Sequence, residues 1–160
     1  MATYSHYSPS VFDDCITPIE VWKSIKDYIP KDKEIWCPFY FKGEHTLRDL
    51  GFDIIHNDED FFLHDRGDII VDNPPFSSKK KILERLLILD KPFILIMPVS
   101  TICYNYFKPF KDIQIIVPNK RINFAPHLKS SATFDTLYYC YKMNLPKDII
   151  FLPEIPSEAS

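Results

Sequence analysis

Asp68-Ile69-Ile70-Val71-Asp72-Asn73-Pro74-Pro75-Phe76 joins a short apolar, β-branched run to a rigid polar turn that ends in an aromatic ring. Ile69 to Val71 predicts a strand buried on both faces, because no polar residue interrupts it and branched side chains suit a pleated surface. Pro74 and Pro75 have no N–H with which to continue a ladder, so the strand ends before them. Pro74 also disfavours a helical conformation for Asn73, which holds the Asn73 amide and the carbonyls after it beyond the carboxyl end of the strand. In open α/β sheets, ligands bind at that edge.

The 160 residues, 46% hydrophobic and 15% aromatic, supply enough apolar material for one core and leave no room for a second domain. No run approaches the ~18 apolar residues of a membrane span, and the N-terminus lacks the basic-then-apolar order of a signal peptide. The expectation is a soluble intracellular protein. Cys15, Cys37, Cys103 and Cys140 are scattered, with no C-x-x-C pair, and read as reduced, buried thiols rather than a zinc site or a disulfide framework. His6, His45, His56, His64 and His127 show no ligand spacing, so no metal is expected.

The net charge of −3 hides an asymmetry. Residues 1–75 hold 7 Lys+Arg against 15 Asp+Glu (−8), and residues 76–160 hold 12 against 7 (+5). The break falls at the Asn-Pro-Pro-Phe turn. The basic half is suited to a polyanion and the acidic half to a neutral or cationic ligand, unless both are simply solvated faces.

Residues 1–13 read as an N-terminal arm, 14–152 as a single α/β domain, and 153–160 as a disordered, proline-containing tail. Thr17-Pro18 predicts an N-cap with proline at the first helical position, opening a helix that carries Ile19, Trp22, Ile25 and Ile29. Ile35-Trp36-Cys37 predicts a strand running into a Pro-Phe-Tyr-Phe-Lys-Gly loop, followed by a helix over 44–50 with Gly51 as its left-handed cap. Strand, glycine-containing loop and helix open a nucleotide-type βαβ unit. Residues 52–56 form the second predicted strand, and Asn57-Asp58-Glu59-Asp60 follows where such folds hold a ribose. After the Asn-Pro-Pro-Phe turn come a helix from Ser77-Ser78 to before Pro92, a central strand at Phe93–Met97, a short helix or ordered loop over 99–107, and strands at 113–117 and 133–141.

These residues carry a resemblance. The chain is similar to the S-adenosylmethionine-dependent amino-group methyltransferases, especially the small viral and phage type of DNA adenine-N6 methyltransferase. Asn73-Pro74-Pro75-Phe76 satisfies that family's catalytic signature of Asp, Asn or Ser, then Pro-Pro, then an aromatic residue. Cys37-Pro38-Phe39-Tyr40-Phe41-Lys42-Gly43 resembles its cofactor loop, with Cys37 where the family usually has Asp or Glu and one glycine where relatives often have two. Thr17-Pro18 resembles its leading Thr-Pro element, and Lys120-Arg121-Ile122-Asn123-Phe124 its basic segment near the sixth strand. The resemblance spans roughly residues 14–141 and implies a Rossmann-like class I fold, with a mostly parallel central sheet, helices on both faces and an antiparallel final strand. It implies S-adenosyl-L-methionine as cofactor, DNA as partner, and a viral or phage protein acting in a host cell. Thr17, Pro18, Cys37, Pro38, Phe39 and Gly43 would then lie at the cofactor with Asn73. Asn57 would also lie at the cofactor, with Asp58 on the ribose hydroxyls and Asp60 and Phe61 beside the adenine.

The chemistry asked of the turn follows from the substrate. An exocyclic adenine amine is a poor nucleophile because its lone pair is delocalised into the ring. Two acceptors on its N–H groups, the Asn73 oxygen and the Pro74 carbonyl, favour a more tetrahedral nitrogen, and Phe76 would stack on the base. Only about 30 residues separate the loop from the turn, which leaves no space for a separate target-recognition domain, so short loops, a dimer partner or another subunit would supply the recognition. Lys79, Lys80, Lys81, Asn105, Lys108, Lys120, Arg121 and Lys129 are the expected phosphate contacts. An RNA adenine, a protein glutamine amide, and a non-catalytic methyltransferase-like module remain open alternatives.

If about four of these cations contact phosphate, affinity for DNA falls on the order of a hundredfold between 50 and 200 mM salt. Fluorescence anisotropy of a labelled oligonucleotide at the two concentrations measures this, and a salt-independent affinity refutes the nucleic-acid reading.

Overall fold

The computed structural model describes residues 17–39, 45–123 and 133–154. Seven strands build one sheet: β1 (Ile35–Trp36), β2 (Ile54–Ile55), β3 (Ile69–Asp72), β4 (Phe93–Pro98), β5 (Gln114–Val117), β8 (Thr136–Tyr141) and β9 (Ile149–Phe151). Between them, β6 (Ile122–Asn123) and β7 (Thr133–Phe134) pair as a separate small ribbon. The order in the large sheet is β2-β1-β3-β4-β8-β5-β9. Only β8 runs antiparallel to its neighbours, so this is an α/β fold on a mixed, mostly parallel sheet.

The apolar strands alternate between two cores, as the period of two requires. Ile35, Val71, Ile94, Ile96, Ile116 and Tyr138 face one side, where α1 (Ile19–Lys23) and α2 (Thr46–Asp49) lay Val21, Trp22 and Leu47 against them. Trp36, Ile70, Phe93, Leu95 and Met97 face the other, under Ile82, Leu83 and Leu86 of α3 (Lys79–Leu89). Helical segments cover both faces, but among the described residues only α3 exceeds two turns. The Tyr138 hydroxyl donates to the Val21 carbonyl at 2.6 Å and ties β8 to α1. Burial pushes that phenol up to about 12, so it stays a donor at neutral pH. Among the described residues, no helix is long and apolar enough to cross a membrane.

Several expectations from sequence are revised. The antiparallel strand is not the last, because after β8 the chain returns through β9 parallel to β5. Ile149-Ile150-Phe151 is three residues long with two side chains exposed, and so lacks the buried run that marks the other strands. Pro18, not Thr17, holds the cap position of α1, because Thr17 is bonded elsewhere. The helix also stops after five residues and continues as a 3-10 turn at Lys26–Tyr28. There the Ser24 hydroxyl donates to the Glu20 carbonyl at 2.6 Å, a side-chain bond that competes with helix propagation. The strand expected over 133–141 is split, its first two residues pairing in the small ribbon. The segment after β4 is two 3-10 turns, Val99–Cys103 and Asn105–Phe107.

Two glycines have backbone conformations that side chains rarely adopt. Gly51 ends the α2 segment at φ +95° in open space. Gly67, at φ +70°, lies where a Cβ would meet the Glu34 carbonyl at 3.0 Å and the Trp36 Cβ at 3.2 Å. That close approach sets the start of the β1–β3 pairing, where the Asp68 and Ile69 N–H groups donate to the same carbonyl. Gly51→Ala is expected to cost about 1 kcal/mol from the backbone alone. Gly67→Ala adds displacement of a strand and should cost about 2–3 kcal/mol. Urea unfolding of both variants tests the ranking.

Candidate functional site

The chain passes from β1 outward to β2 and then returns to the other side of β1 as β3, so the strand order reverses between β1 and β3. The crevice beyond the carboxyl ends at such a switch point is where open α/β sheets bind ligands. Cys37-Pro38-Phe39 leaves β1 there, Asn73-Pro74-Pro75-Phe76 leaves β3, and Val99 begins the turns after β4. A concavity of about 590 Å³ lies at the opposite edge among residues such as Lys31, Glu34, Asp53 and Asp68. It contains none of the polar groups that converge at the switch point.

Asp72 organises that point. Its carboxylate is 1% exposed and accepts from the Phe39 N–H at 2.8 Å, the Asn73 N–H at 2.8 Å and His45 Nε2 at 2.9 Å. A buried carboxylate is tolerated only when bonded in this way. The Leu47 N–H donates to His45 Nδ1 at 3.2 Å, so the ring proton sits on Nε2 and points at Asp72. Trp22 stacks on the His45 ring at 6.0 Å. One carboxylate thus holds the loop after β1, the turn after β3 and the residue that caps α2.

The Asn73 side chain, 5% exposed, is oriented by Thr17. Its Nδ2 donates to the Thr17 hydroxyl at 3.0 Å, while the Thr46 hydroxyl donates to the Thr17 carbonyl at 2.7 Å. The Asn73 Oδ1 is buried and has no hydrogen-bond partner among the described residues. An orphaned buried acceptor is destabilising by about 1–3 kcal/mol unless a ligand satisfies it. Pro74 and Pro75 are buried and the Phe76 ring is half-buried. The Phe76 carbonyl accepts from Lys79 Nζ at 3.1 Å.

The residues expected at the cofactor fall into two groups. Thr17, Pro18, Cys37, Pro38, Phe39 and Asn73 gather at the switch point, but Phe39 and Phe61 are 0% exposed. They pack on each other at 5.1 Å, with Trp36 against Phe61 at 5.6 Å, and so belong to the core under the α3 face rather than to an open stacking face. In the acidic cluster, Glu59 is committed to Arg66 at 2.7 and 3.1 Å, and that guanidinium holds its carboxyl below the usual range. Asp60 is buried and accepts from the Phe62 N–H at 2.8 Å. Asn57 and Asp58 are exposed beyond β2, which leaves Asp58 as the carboxylate presented to solvent. Gly43 lies outside the described residues.

Cys37 departs furthest from the resemblance. Its thiol is buried and donates to the Val71 carbonyl at 3.2 Å. Burial, with the Asp72 charge beside it, holds the thiol well above its usual range, so it is a neutral group. Cys37, His45 and Asp72 bring sulfur, nitrogen and oxygen donors within 4.8 Å of one another. Their bonding is nevertheless that of a hydrogen-bonded cluster. A ligating histidine normally donates its second ring N–H to an acceptor, whereas His45 Nδ1 faces the Leu47 N–H.

Most of the expected phosphate contacts leave the same edge. Lys79, Lys80 and Lys81 open α3, with Lys80 and Lys81 exposed. Asn105 and Lys108 are exposed on the turns after β4. Lys120 and Arg121 line a cleft of about 520 Å³ with Pro18, Glu20 and Tyr138. Arg121 pairs with Asp135 at 2.8 Å, both well exposed; such a pair contributes about 0–1 kcal/mol and exchanges readily for another anion. Lys129 lies outside the described residues. No family model matches the chain, and no curated protein matches it.

Asp72 and His45 were not singled out as site residues by sequence. The available signal was a carboxylate ending an otherwise apolar strand, which must find partners when buried. Placing the resemblance's usual carboxylate at position 37 would put a second buried negative charge against Asp72. Cys37→Asp is therefore expected to destabilise the fold by about 3–5 kcal/mol. A thermal unfolding midpoint unchanged from wild type would refute this account of the cluster.

Proposed function

We propose that this protein is a Rossmann-like class I methyltransferase that moves a methyl group from S-adenosylmethionine to an exocyclic amine. Within that class, the acceptor is the N6 amine of adenine in DNA. The observation that carries the reading is the Asn73 side chain, clamped through Nδ2 by Thr17 with its buried Oδ1 lacking a partner among the described residues. This is the arrangement needed by an acceptor that must wait, without reorganising, for an amine hydrogen. The reversal of strand order beside it supports a ligand crevice at the same place.

Asn73 Oδ1 and the Pro74 carbonyl accept the two N6 hydrogens and turn the nitrogen lone pair out of conjugation with the ring. Phe76, half-buried at the end of the turn, stacks on the adenine. Extruding that base from a duplex costs a few kcal/mol, offset in part by the stacking. Asp58 would accept from the ribose hydroxyls of the cofactor, since Glu59 and Asp60 are bonded within the protein. When bound, S-adenosylmethionine would supply an electrophilic sulfonium methyl, the N–C bond forming as the S–C bond breaks, with the thioether as leaving group and the N6 proton lost to water. Asp72 acts indirectly, by holding Phe39 and Asn73 in a common frame. The five lysines in 73–83 and 99–111, with no carboxylate among them, favour a nucleic acid over a protein amide as substrate.

A second reading, a methyltransferase-like subunit that no longer turns over, is favoured by Cys37, whose neutral thiol replaces a carboxylate. Transfer of labelled methyl to DNA and to RNA separates the readings. Asn73→Ala is expected to lower the rate about 10²- to 10³-fold. An unchanged rate in that variant refutes the mechanism, and a preference for RNA reassigns the acceptor. Absence of S-adenosylmethionine binding by calorimetry selects the inactive subunit.

A further inference from the structure

The turns after β4 carry an aromatic and apolar patch that the reaction above does not use. Val99, Ile102 and Tyr104 are 43%, 40% and 41% exposed, on consecutive turns at the carboxyl edge of the sheet. The Tyr104 ring stacks on Tyr106 with centroids 5.2 Å apart and planes at 26°. Lys79 Nζ lies 6.0 Å from the Tyr104 centroid while donating to the Phe76 carbonyl at 3.1 Å. One side chain therefore bridges the patch and the Asn-Pro-Pro-Phe turn.

A contiguous exposed apolar group beside a site marks a contact surface. The charge around it points to the partner: segments 73–83 and 99–111 contain Lys79, Lys80, Lys81, Lys108 and Lys111, with Glu84 and Asp112 next to their ends, so the lysines are in excess. A flat ring, apolar neighbours and the ammonium groups of Lys79 and Lys80 match a nucleobase on its phosphate backbone. A second protein copy would also cover the apolar area, and sedimentation distinguishes that case.

We propose that this patch is a stacking site for a nucleobase neighbouring the methyl-accepting adenine, with Tyr104 as the platform and Lys79 and Lys80 on the flanking phosphates. Lys79 has three donors and reaches a phosphate without releasing the Phe76 carbonyl. The inference rests on the reading of the protein as a nucleic-acid methyltransferase. It is tested by binding, which does not require turnover.

The probe is a single-stranded oligonucleotide carrying 2-aminopurine next to a target adenine, followed by fluorescence and anisotropy. Binding to wild type should quench the 2-aminopurine. Tyr104→Ala should weaken binding about 5- to 150-fold and abolish the quench, and Tyr104→Phe should retain both. Tyr104→Ala within twofold of wild type, no binding by wild type, or equal losses in the Ala and Phe variants would each overturn the proposal. A dimer seen by sedimentation that Tyr104→Ala dissociates, with oligonucleotide affinity unchanged, would overturn it in favour of a self-association surface. Asn73→Ala separates the two readings. Oligonucleotide binding and quench that survive in Asn73→Ala, with no methyl transferred even by wild type, support the patch and defeat the reaction. Methyl transfer by Tyr104→Ala with unchanged KM for DNA defeats the patch and leaves the reaction standing.

Discussion

The carboxylate of Asp72 accepts from the Phe39 N–H, the Asn73 N–H and His45 Nε2 while almost wholly buried. The loop after β1 and the turn after β3 cannot move independently of each other while those bonds are in place. Removing one partner from such a cluster leaves a charge or a donor in a low-dielectric interior, which is far more destabilising than a surface bond. The same cluster accounts for the neutral residue at position 37: a thiol can share the space beside Asp72, whereas a second carboxylate would repel it.

The sheet places this cluster at an edge where both charge halves of the chain meet. Residues before the turn supply β1, β2 and the acidic segment at 57–60, and residues after it supply the lysines of α3 and the cationic turns beyond β4 and β5. Parallel strands deliver all of these segments to one side, because each carboxyl end opens onto the same edge. Asn73 sits where the two halves join, with its amide oriented by a threonine 56 residues earlier in the chain.

Much of the fold was legible because the signals were local and strong. Phe93–Met97 read as a central strand, and it lies between β3 and β8 with every side chain from Phe93 to Met97 buried. Pro74 and Pro75 end β3, and Gly51 has the positive φ expected of a helix terminus. Signals were weaker where tertiary contacts override them. Thr17 is a good capping residue by type, yet its hydroxyl serves Asn73 and its carbonyl serves Thr46, so the cap falls to Pro18. β9 is held by pairing with β5 and a side-chain bond network around Gln114, none of which a three-residue run reveals.

At the candidate site the division is similar. By itself the sequence determined that a buried strand stops at two prolines with an amide and an aromatic ring beyond it, because proline geometry and hydrophobic periodicity are properties of neighbouring residues. Only the tertiary structure decided which carboxylate past β2 is presented to solvent, that Phe39 and Phe61 are core rings, and that Asp72 and His45 hold the site together. The Asp72 cluster and the Asn73 clamp depend on hydrogen bonds between residues 27 to 56 positions apart, and no local pattern encodes which of several candidate partners a buried polar group will meet.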